Sequence, residues 1–285
     1  MPPEQQKTVN RPVRCRGVGV HTGIDAGLVI RPAEAGRGIA FIRSDLPGKE
    51  AIPASVEAVS ATARGTSLGP GEAGVKTVEH LLATLAGLEI DNAVVEMDGP
   101  ELPMGDGSAL PFVRLIEEAG IREQPAPRRY RTLPRPFALE TPEGIIATLP
   151  GERLRVACTI AFGDPLLDSQ YLDLILTPEA FARELAPART FGFYREARPL
   201  LERGLIRGTG LENTVVIGPG AIFSRGGLRF KDEFVRHKTL DLLGDLALLG
   251  SPLRATILAV RPGHQLNVEF VRKLKEVLDE PGSAG

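Results

Sequence analysis

The side chains best suited to chemistry in this sequence are histidines that lie beside carboxylates. Glu79 and His80 are neighbours in one segment, whereas His237, Asp241 and Asp245 follow one another at intervals of four residues in another. Read as a helix, the second segment places its three polar side chains on one face. Most of its other positions after Val235 are apolar, with six leucines between 240 and 249, which predicts a buried helix. Because buried histidines and carboxylates are costly unless they pair or bind a metal, this segment predicts either a hydrogen-bonded network or a metal site.

A catalytic zinc site is one chemistry that fits these residue types. Such a site uses three protein ligands, often histidines with a carboxylate, and keeps a fourth position open for water. The histidines here lie far apart in the sequence, unlike the His-Glu-x-x-His pattern of many zinc proteases. Spacing alone therefore leaves the zinc site and the buried polar network both open.

The other two histidines lie in glycine-containing motifs. His21 lies within Gly17-Val-Gly19-Val-His21-Thr-Gly23, and His264 directly follows a glycine. Glycines at this spacing could cradle a phosphate, but a tight hairpin between two strands explains them equally well. The motif by itself therefore does not decide between a binding loop and a turn.

Length and composition exclude several classes of protein. The chain has 285 residues, a formal net charge of -2 and a pI of about 6.2, which do not indicate nucleic-acid binding. No apolar run is long enough to cross a bilayer, and the N-terminal residues lack the pattern of a signal peptide. Cys15 and Cys158 lie in strand-like runs and are expected to be small hydrophobic residues of the interior. We expect a cytoplasmic location and a monomer.

The motifs are spread over two halves that follow one plan. The predicted elements of the first half are strands at 9–20, 27–31, 38–42 and near 52, a helix at 77–88 that Thr77 caps, a strand at 92–97 and a helix at 110–118. Those of the second half are strands at 135–139, 144–148, 153–162 and 170–176, helices at 178–185 and 194–203, a strand at 214–217, the helix of His237, a strand at 255–260 and a helix at 264–278.

Residues 122–129 carry the prolines and charges of an interdomain linker. We therefore predict an α+β fold of two related domains, 1–124 and 130–285. Each domain is expected to layer a β-sheet against helices, with the active site at the interface between the domains.

Seven motifs, in order along the chain, together resemble those of one enzyme family. They are Gly17-Val-Gly-Val-His21-Thr-Gly, Thr77-Val-Glu-His80-Leu-Leu-Ala, Ile90-Asp-Asn-Ala, Met104-Gly-Asp106-Gly-Ser-Ala, Ala188-Arg-Thr190-Phe-Gly-Phe193, Asp232-Glu-Phe-Val-Arg-His237-Lys-Thr-Leu-Asp241 and Gly263-His264-Gln-Leu-Asn. The resemblance covers about residues 6–275. The family is that of the zinc-dependent UDP-3-O-acyl-N-acetylglucosamine deacetylases, which catalyse the committed step of lipid A biosynthesis.

The resemblance implies one catalytic zinc ion per chain. His80, His237 and Asp241 would be its ligands, with an open position for water. Glu79 would be the general base that deprotonates this water, whose acidity zinc increases.

The resemblance also implies three residues that stabilise the oxyanion and protonate the leaving amine. Thr190 would donate a hydrogen bond to the developing oxyanion. His264, as an imidazolium, would stabilise that charge and protonate the leaving amine. Asp245 would orient His264 and stabilise its charge.

Substrate-binding residues follow from the resemblance more loosely. Lys238 and Arg261 would supply cations for a nucleotide diphosphate, and His21 matches a family position near the substrate. The family usually has lysine where this chain has Arg261, and the two residues are not interchangeable. Either cation could instead be a solvated surface residue. Apolar residues of an insert at 190–217 would line an acyl passage or, alternatively, belong to ordinary core: Phe191, Phe193, Leu200 and Leu205.

Two functions of other classes remain open to the sequence. One is a zinc hydrolase on the same scaffold with a different amide substrate. The other is a binding protein without catalytic activity, which would be expected to have lost at least one of the six residues assigned to the metal or to proton transfer. All six are present: Glu79, His80, His237, Asp241, Asp245 and His264.

Overall fold

Runs of strands are separated by helices in this computed structural model, which describes residues 4–48 and 50–280. The strands are β1 (Gln5–Val9), β2 (Val13–Val18), β3 (Asp25–Pro32), β4 (Ile39–Arg43), β5 (Ala51–Pro53), β6 (Val59–Ala61), β7 (Ser67–Leu68), β8 (Ala93–Met97), β9 (Ile121–Pro127), β10 (Arg131–Thr132), β11 (Phe137–Glu140), β12 (Ile145–Pro150), β13 (Arg155–Asp164), β14 (Leu167–Ile175), β15 (Phe191–Phe193), β16 (Val215–Gly218), β17 (Ala221–Phe223) and β18 (Leu253–Val260). The helices are α1 (Glu79–Gly87), α2 (Leu110–Ala119), α3 (Pro178–Ala180), α4 (Tyr194–Glu202), α5 (Glu233–Leu246) and α6 (His264–Leu278). The predicted α+β class is confirmed.

Two mixed sheets share one strand order. The first runs β2-β3-β8-β4-β5 and the second β11-β12-β18-β13-β14, with β10 added beside β18. Along each five-strand order one pair is parallel, β4 with β8 and β13 with β18, and the other pairs are antiparallel; β10 also pairs parallel with β18. α1 precedes the last strand of the first sheet and α5 precedes the last strand of the second. This shared order accords with two related halves. The domain boundaries stay predictions, and residues 1–3, 49 and 281–285 of the predicted domains lie outside the described residues.

Helix α5 is buried on nearly every side, as its leucines predict. It packs against α1, α6 and strands β13 and β14. The approach to α1 is close at Gly244, where an added Cβ would lie 2.1 Å from the carbonyl oxygen of Glu79. A side chain at Gly244 would therefore force apart the two helices that carry the predicted ligands.

Sequence reasoning mistook the start of α1. The helix begins at Glu79, and its N-cap is Val78 with no side-chain cap, so the prediction that Thr77 caps the helix is wrong. Thr77 has a φ of 58°, and its hydroxyl donates instead to Oε1 of Glu101 at 2.8 Å. Glu101 is fully buried and requires hydrogen-bond donors, which outweighs the local preference for a cap.

The predicted linker is an ordered part of the fold. Most of residues 122–129 form β9, which pairs antiparallel with β1. In the described part of the chain, no helix is long and apolar enough to cross a membrane.

Candidate active site

The predicted ligands meet where α1 and α5 pack together. His80, His237 and Asp241 each offer one ligand atom, and these atoms lie within 4.8 Å of one another. Oδ1 of Asp241 is 3.6 Å from Nε2 of His80 and 3.5 Å from Nε2 of His237. Each residue is only 3% exposed. The helical spacing of α5 and the close packing of α1 thus assemble two imidazoles and a carboxylate in the interior.

The protonation of these groups suits a divalent cation. Nδ1 of His237 donates to the carbonyl oxygen of Ala188 at 3.2 Å, which leaves Nε2 with a free lone pair beside Asp241. Burial lowers the pKa of His237 to about 4, so its ring is neutral. Burial also acts to raise the pKa of Asp241, but His237, Lys238 and nearby groups outweigh it and hold that pKa well below its usual value. Neutral imidazole and ionised carboxylate are the forms that bind metals, so the residues fit such an ion.

A carboxylate and a third imidazole face this group. Oε1 of Glu79 lies 4.0 Å from Nε2 of His264, which in turn lies 3.8 Å from Oδ2 of Asp241. Burial raises the pKa of Glu79 above its usual value, which makes the carboxylate a stronger base. Glu79 and His264 are therefore close enough to the predicted ligands to act on one bound molecule.

Asp245 determines the charge of His264. Its Oδ2 accepts from Nδ1 of His264 at 2.9 Å and from the side-chain amide of Asn267 at 2.8 Å. Burial alone would lower the pKa of His264, but the charge and hydrogen bond of Asp245, with Glu79 and Asp241, raise it to about 9. An imidazolium with its Nδ1 proton held by Asp245 presents the Nε2 proton to the site.

Thr190 is held beside the site by both halves of the chain. Its backbone N–H donates to the carbonyl oxygen of Gly107 at 2.8 Å, and its carbonyl accepts from Val215 at 2.9 Å. The preceding residue, Arg189, is 3% exposed and forms a buried ion pair with Glu233 at 2.8 Å. This pair ties the segment of Thr190 to the first turn of α5, the helix that carries two predicted ligands.

A cavity of about 660 Å³ opens over these groups. Of the predicted site residues, those that line it are His21, Glu79, His80, Thr190, Phe191, Phe193, Leu200, His237, Lys238, Asp241, Arg261 and His264. Asp245 lies behind His264, and Leu205 lies outside the lining, where Ile206 contributes instead. The structure thus brings the predicted catalytic residues, apart from Asp245, and most of the predicted apolar residues to one cavity, with Ile206 rather than Leu205 in its wall.

The predicted diphosphate contacts have partners within the protein. Nζ of Lys238 donates to Oδ2 of Asp241 at 2.7 Å, so this ammonium lies against a predicted ligand. Arg261 donates to the carbonyl oxygen of Pro142 at 3.2 Å, and Nε2 of His21 lies 3.2 Å from the carbonyl oxygen of Arg64. All three still border the cavity, so a bound anion can reach them.

The glycine motif around His21 forms a hairpin between β2 and β3. The backbone N–H groups of His21 and Thr22 donate to the carboxylate of Glu101 at 3.0 and 2.7 Å. At Gly19 an added Cβ would lie 2.3 Å from the same carboxylate. The anion in this turn is therefore an internal side chain, which favours the hairpin interpretation over a phosphate cradle.

Three residues of the site had no signal in the sequence. Thr66 contacts Glu79, Asp245 and His264, and Glu101 holds the hairpin of His21. Phe162 lines the cavity, and its ring centroid lies 5.7 Å from that of Phe191 and 5.5 Å from that of Phe193. The contacts of these residues span large sequence separations, so no local pattern marks them.

The site has the make-up of a metal-dependent hydrolase. Two imidazoles and a carboxylate can hold the metal, and a basic carboxylate and an imidazolium lie beside them in one cavity. The chain belongs to the UDP-3-O-acyl N-acetylglycosamine deacetylase family, whose model matches residues 6–276.

Curated relatives agree with this family. The chain is 48% identical over 272 residues to the UDP-3-O-acyl-N-acetylglucosamine deacetylase of Phenylobacterium zucineum, covering 94% of this chain and 92% of the relative. It is 44% identical to the enzyme of the same name from Myxococcus xanthus, covering 94% and 86%. The enzyme of that name from Chlamydia felis is also 44% identical, with coverage of 96% and 98%.

Proposed function

We propose that this protein is a zinc-dependent deacetylase that removes the N-acetyl group from UDP-3-O-acyl-N-acetylglucosamine and releases acetate, the committed step of lipid A biosynthesis. The observation that carries the proposal is the cluster of His80, His237 and Asp241 facing Glu79 and His264 at one cavity. Family membership supplies the substrate class. The sequence resemblance and the geometry thus lead to the same reaction.

His80, His237 and Asp241 would hold one zinc ion per chain. A divalent ion held there polarises a carbonyl and makes a bound water more acidic. The remaining steps belong to side chains of the chain itself.

The acid and base of the reaction are Glu79 and His264. Glu79 accepts a proton from the attacking water, whose oxygen bonds to the acetamide carbonyl carbon. His264 donates its Nε2 proton to the amide nitrogen as the carbon–nitrogen bond breaks, while Asp245 retains the Nδ1 proton. Return of the proton from Glu79 to His264, whose side chains lie 4.0 Å apart, regenerates both groups. The products are the free amine and acetic acid, which ionises to acetate in water.

Thr190, which lines the same cavity, would donate a hydrogen bond to the oxyanion. The acyl chain would lie along Phe191, Phe193 and Leu200, and Leu205 would support that wall from behind. The diphosphate would bind near His21, Lys238 and Arg261, which border the same cavity.

We place the enzyme in the cytoplasm as a monomer. Both cysteines are free, and Cys158 is fully buried, as is usual for proteins of reducing compartments.

The decisive experiment is a mass-spectrometric assay of acetate release from the acylated sugar nucleotide, with metal content measured on the same sample. We expect release that a chelator abolishes and stoichiometric zinc restores. A metal-loaded protein that releases no acetate from this nucleotide, but hydrolyses another amide, would instead be the zinc hydrolase of different specificity. Full activity of metal-free protein would contradict the mechanism.

A further inference from the structure

Thr66 joins the two proton carriers of the site. It lies directly before β7 in the first half of the chain and is fully buried. Its backbone N–H donates to Oε2 of Glu79 at 2.9 Å, and its hydroxyl donates to Oδ1 of Asp245 at 2.6 Å. The same hydroxyl oxygen lies 3.4 Å from Nδ1 of His264.

These contacts connect residues of different elements. Glu79 begins α1, whereas Asp245 and His264 belong to α5 and α6. Within residues 4–48 and 50–280, the N–H of Thr66 is the one hydrogen-bond donor to the carboxylate of Glu79. The carbonyl oxygen of Thr66 also accepts from Val78 at 3.2 Å, which anchors Thr66 to the residue before α1. One residue therefore sets the base relative to the acid.

The hydroxyl completes the hydrogen bonding of Asp245. Oδ2 of this carboxylate already accepts from His264 and Asn267, so Oδ1 depends on Thr66. A buried carboxylate oxygen that loses its donor is strongly disfavoured, and the carboxylate is expected to rotate to regain a partner. Such a rotation would shift the Nδ1 contact and move Nε2 of His264 relative to Glu79.

We propose that Thr66 is a positioning residue for proton transfer: its hydroxyl fixes Asp245 and through it His264, while its N–H fixes Glu79. This inference rests on the proposed function of the site. It assigns to Thr66 no contact with substrate or metal, because Thr66 acts through Asp245, His264 and Glu79.

The test compares Thr66→Val, which removes the hydroxyl at nearly constant volume, with Thr66→Ser, which keeps it, both in the zinc-loaded enzyme. A hydrogen bond to a charged group corresponds to about 10- to 100-fold in rate. We expect Thr66→Val to lower kcat by that factor with KM and zinc content unchanged, and Thr66→Ser to restore most of the rate. Thr148→Val is the matched control, since Thr148 is buried in β12 and its hydroxyl has no hydrogen-bond partner among residues 4–48 and 50–280. Its kcat should equal that of the unmodified protein.

A second measurement does not depend on substrate turnover. We expect the Nδ1 proton that His264 shares with Asp245 to give a low-field NMR resonance, which should move upfield in Thr66→Val and return in Thr66→Ser. If the unmodified enzyme releases no acetate, the proposed function fails while this spectroscopic test of positioning still stands. An unchanged resonance in Thr66→Val overturns the positioning role.

A double-mutant cycle separates positioning from simple loss of stability. If Thr66 acts through Asp245, the double variant Thr66→Val/Asp245→Asn should be no slower than Asp245→Asn alone. If urea unfolding shows that Thr66→Val is poorly folded, Thr66→Ala replaces it in the double-mutant cycle. The proposal is overturned if the kcat losses of Thr66→Val and Asp245→Asn multiply in the double variant. It is also overturned if Thr148→Val loses as much kcat as Thr66→Val.

Discussion

Gly107 offers the sharpest test of how the two halves of the chain hold Thr190. It has a φ of 83°, and a Cβ added there would lie 1.8 Å from the carbonyl oxygen of Asn213, in the other half. Its own carbonyl accepts the N–H of Thr190 at 2.8 Å. Gly107→Ala should therefore disturb both the packing of the halves and the position of the proposed oxyanion donor.

The loss of unfolding free energy in Gly107→Ala has two separable parts. A left-handed backbone costs an alanine about 1–2 kcal/mol, and overpacking against fixed backbone adds about 1–3 kcal/mol. Gly163 isolates the first part, because its φ is 63° and an added Cβ would meet no atom of the described residues within 4 Å. We expect Gly163→Ala to lose about 1–2 kcal/mol of unfolding free energy and Gly107→Ala about 2–5 kcal/mol.

The loss of kcat in Gly107→Ala should come from the clash with Asn213 rather than from the left-handed backbone. Displacing Gly107 moves the backbone of Thr190 and with it the proposed oxyanion donor. Loss of one oxyanion donor lowers kcat by about 10² to 10³. Urea unfolding gives the free energies, and acetate release gives kcat, with zinc content as the control for the metal site. The reasoning is refuted if Gly107→Ala and Gly163→Ala lose equal stability, or if Gly107→Ala keeps full kcat while destabilised as expected.

Four further outcomes are expected. Alanine at any of the three proposed ligands should abolish stoichiometric zinc binding, measured by elemental mass spectrometry after dialysis. Glu79→Gln and His264→Ala should keep zinc yet lose about 10² to 10⁴ in kcat, since they move protons rather than bind metal; wild-type rates would remove them from the mechanism. Glu233→Gln leaves buried Arg189 unpaired and should lose about 3–5 kcal/mol at pH 7. Burial acts to raise the pKa of Glu233, but its interactions with Arg189 and with backbone N–H groups outweigh burial and hold that pKa below its usual value of 4.5. The contribution to stability is therefore present above pH 4.5 and fades as the pH falls through the depressed pKa, so the unfolding free energies of the two proteins in urea should converge in acid. Leu200→Asp should reduce kcat/KM for a long-chain substrate more than for a truncated one, since each buried methylene contributes about 0.8 kcal/mol; equal losses would make Leu200 ordinary core.

Local patterns in the sequence determined the individual helices and the residues they carry. The four-residue interval between His237 and Asp241 predicts that the two side chains share a helix face, and in α5 their ligand atoms lie 3.5 Å apart. The predicted helix at 264–278 coincides with α6. Such features depend on periodicity over a few turns, which the sequence records directly. Seven ordered motifs then indicated the family.

Tertiary packing decided how these elements meet. Thr66 and Asp245 are 179 residues apart, and their contact exists only because α1 packs against α5 where Gly244 permits it. Thr77 shows the same limit. Local sequence preferences predict that its hydroxyl caps the helix, but this hydroxyl donates to the distant buried carboxylate of Glu101. The common strand order of the two sheets likewise has no clean sequence repeat behind it. Contacts between remote segments depend on the burial and hydrogen bonding of the whole chain, so single-residue preferences and short spacings do not determine them.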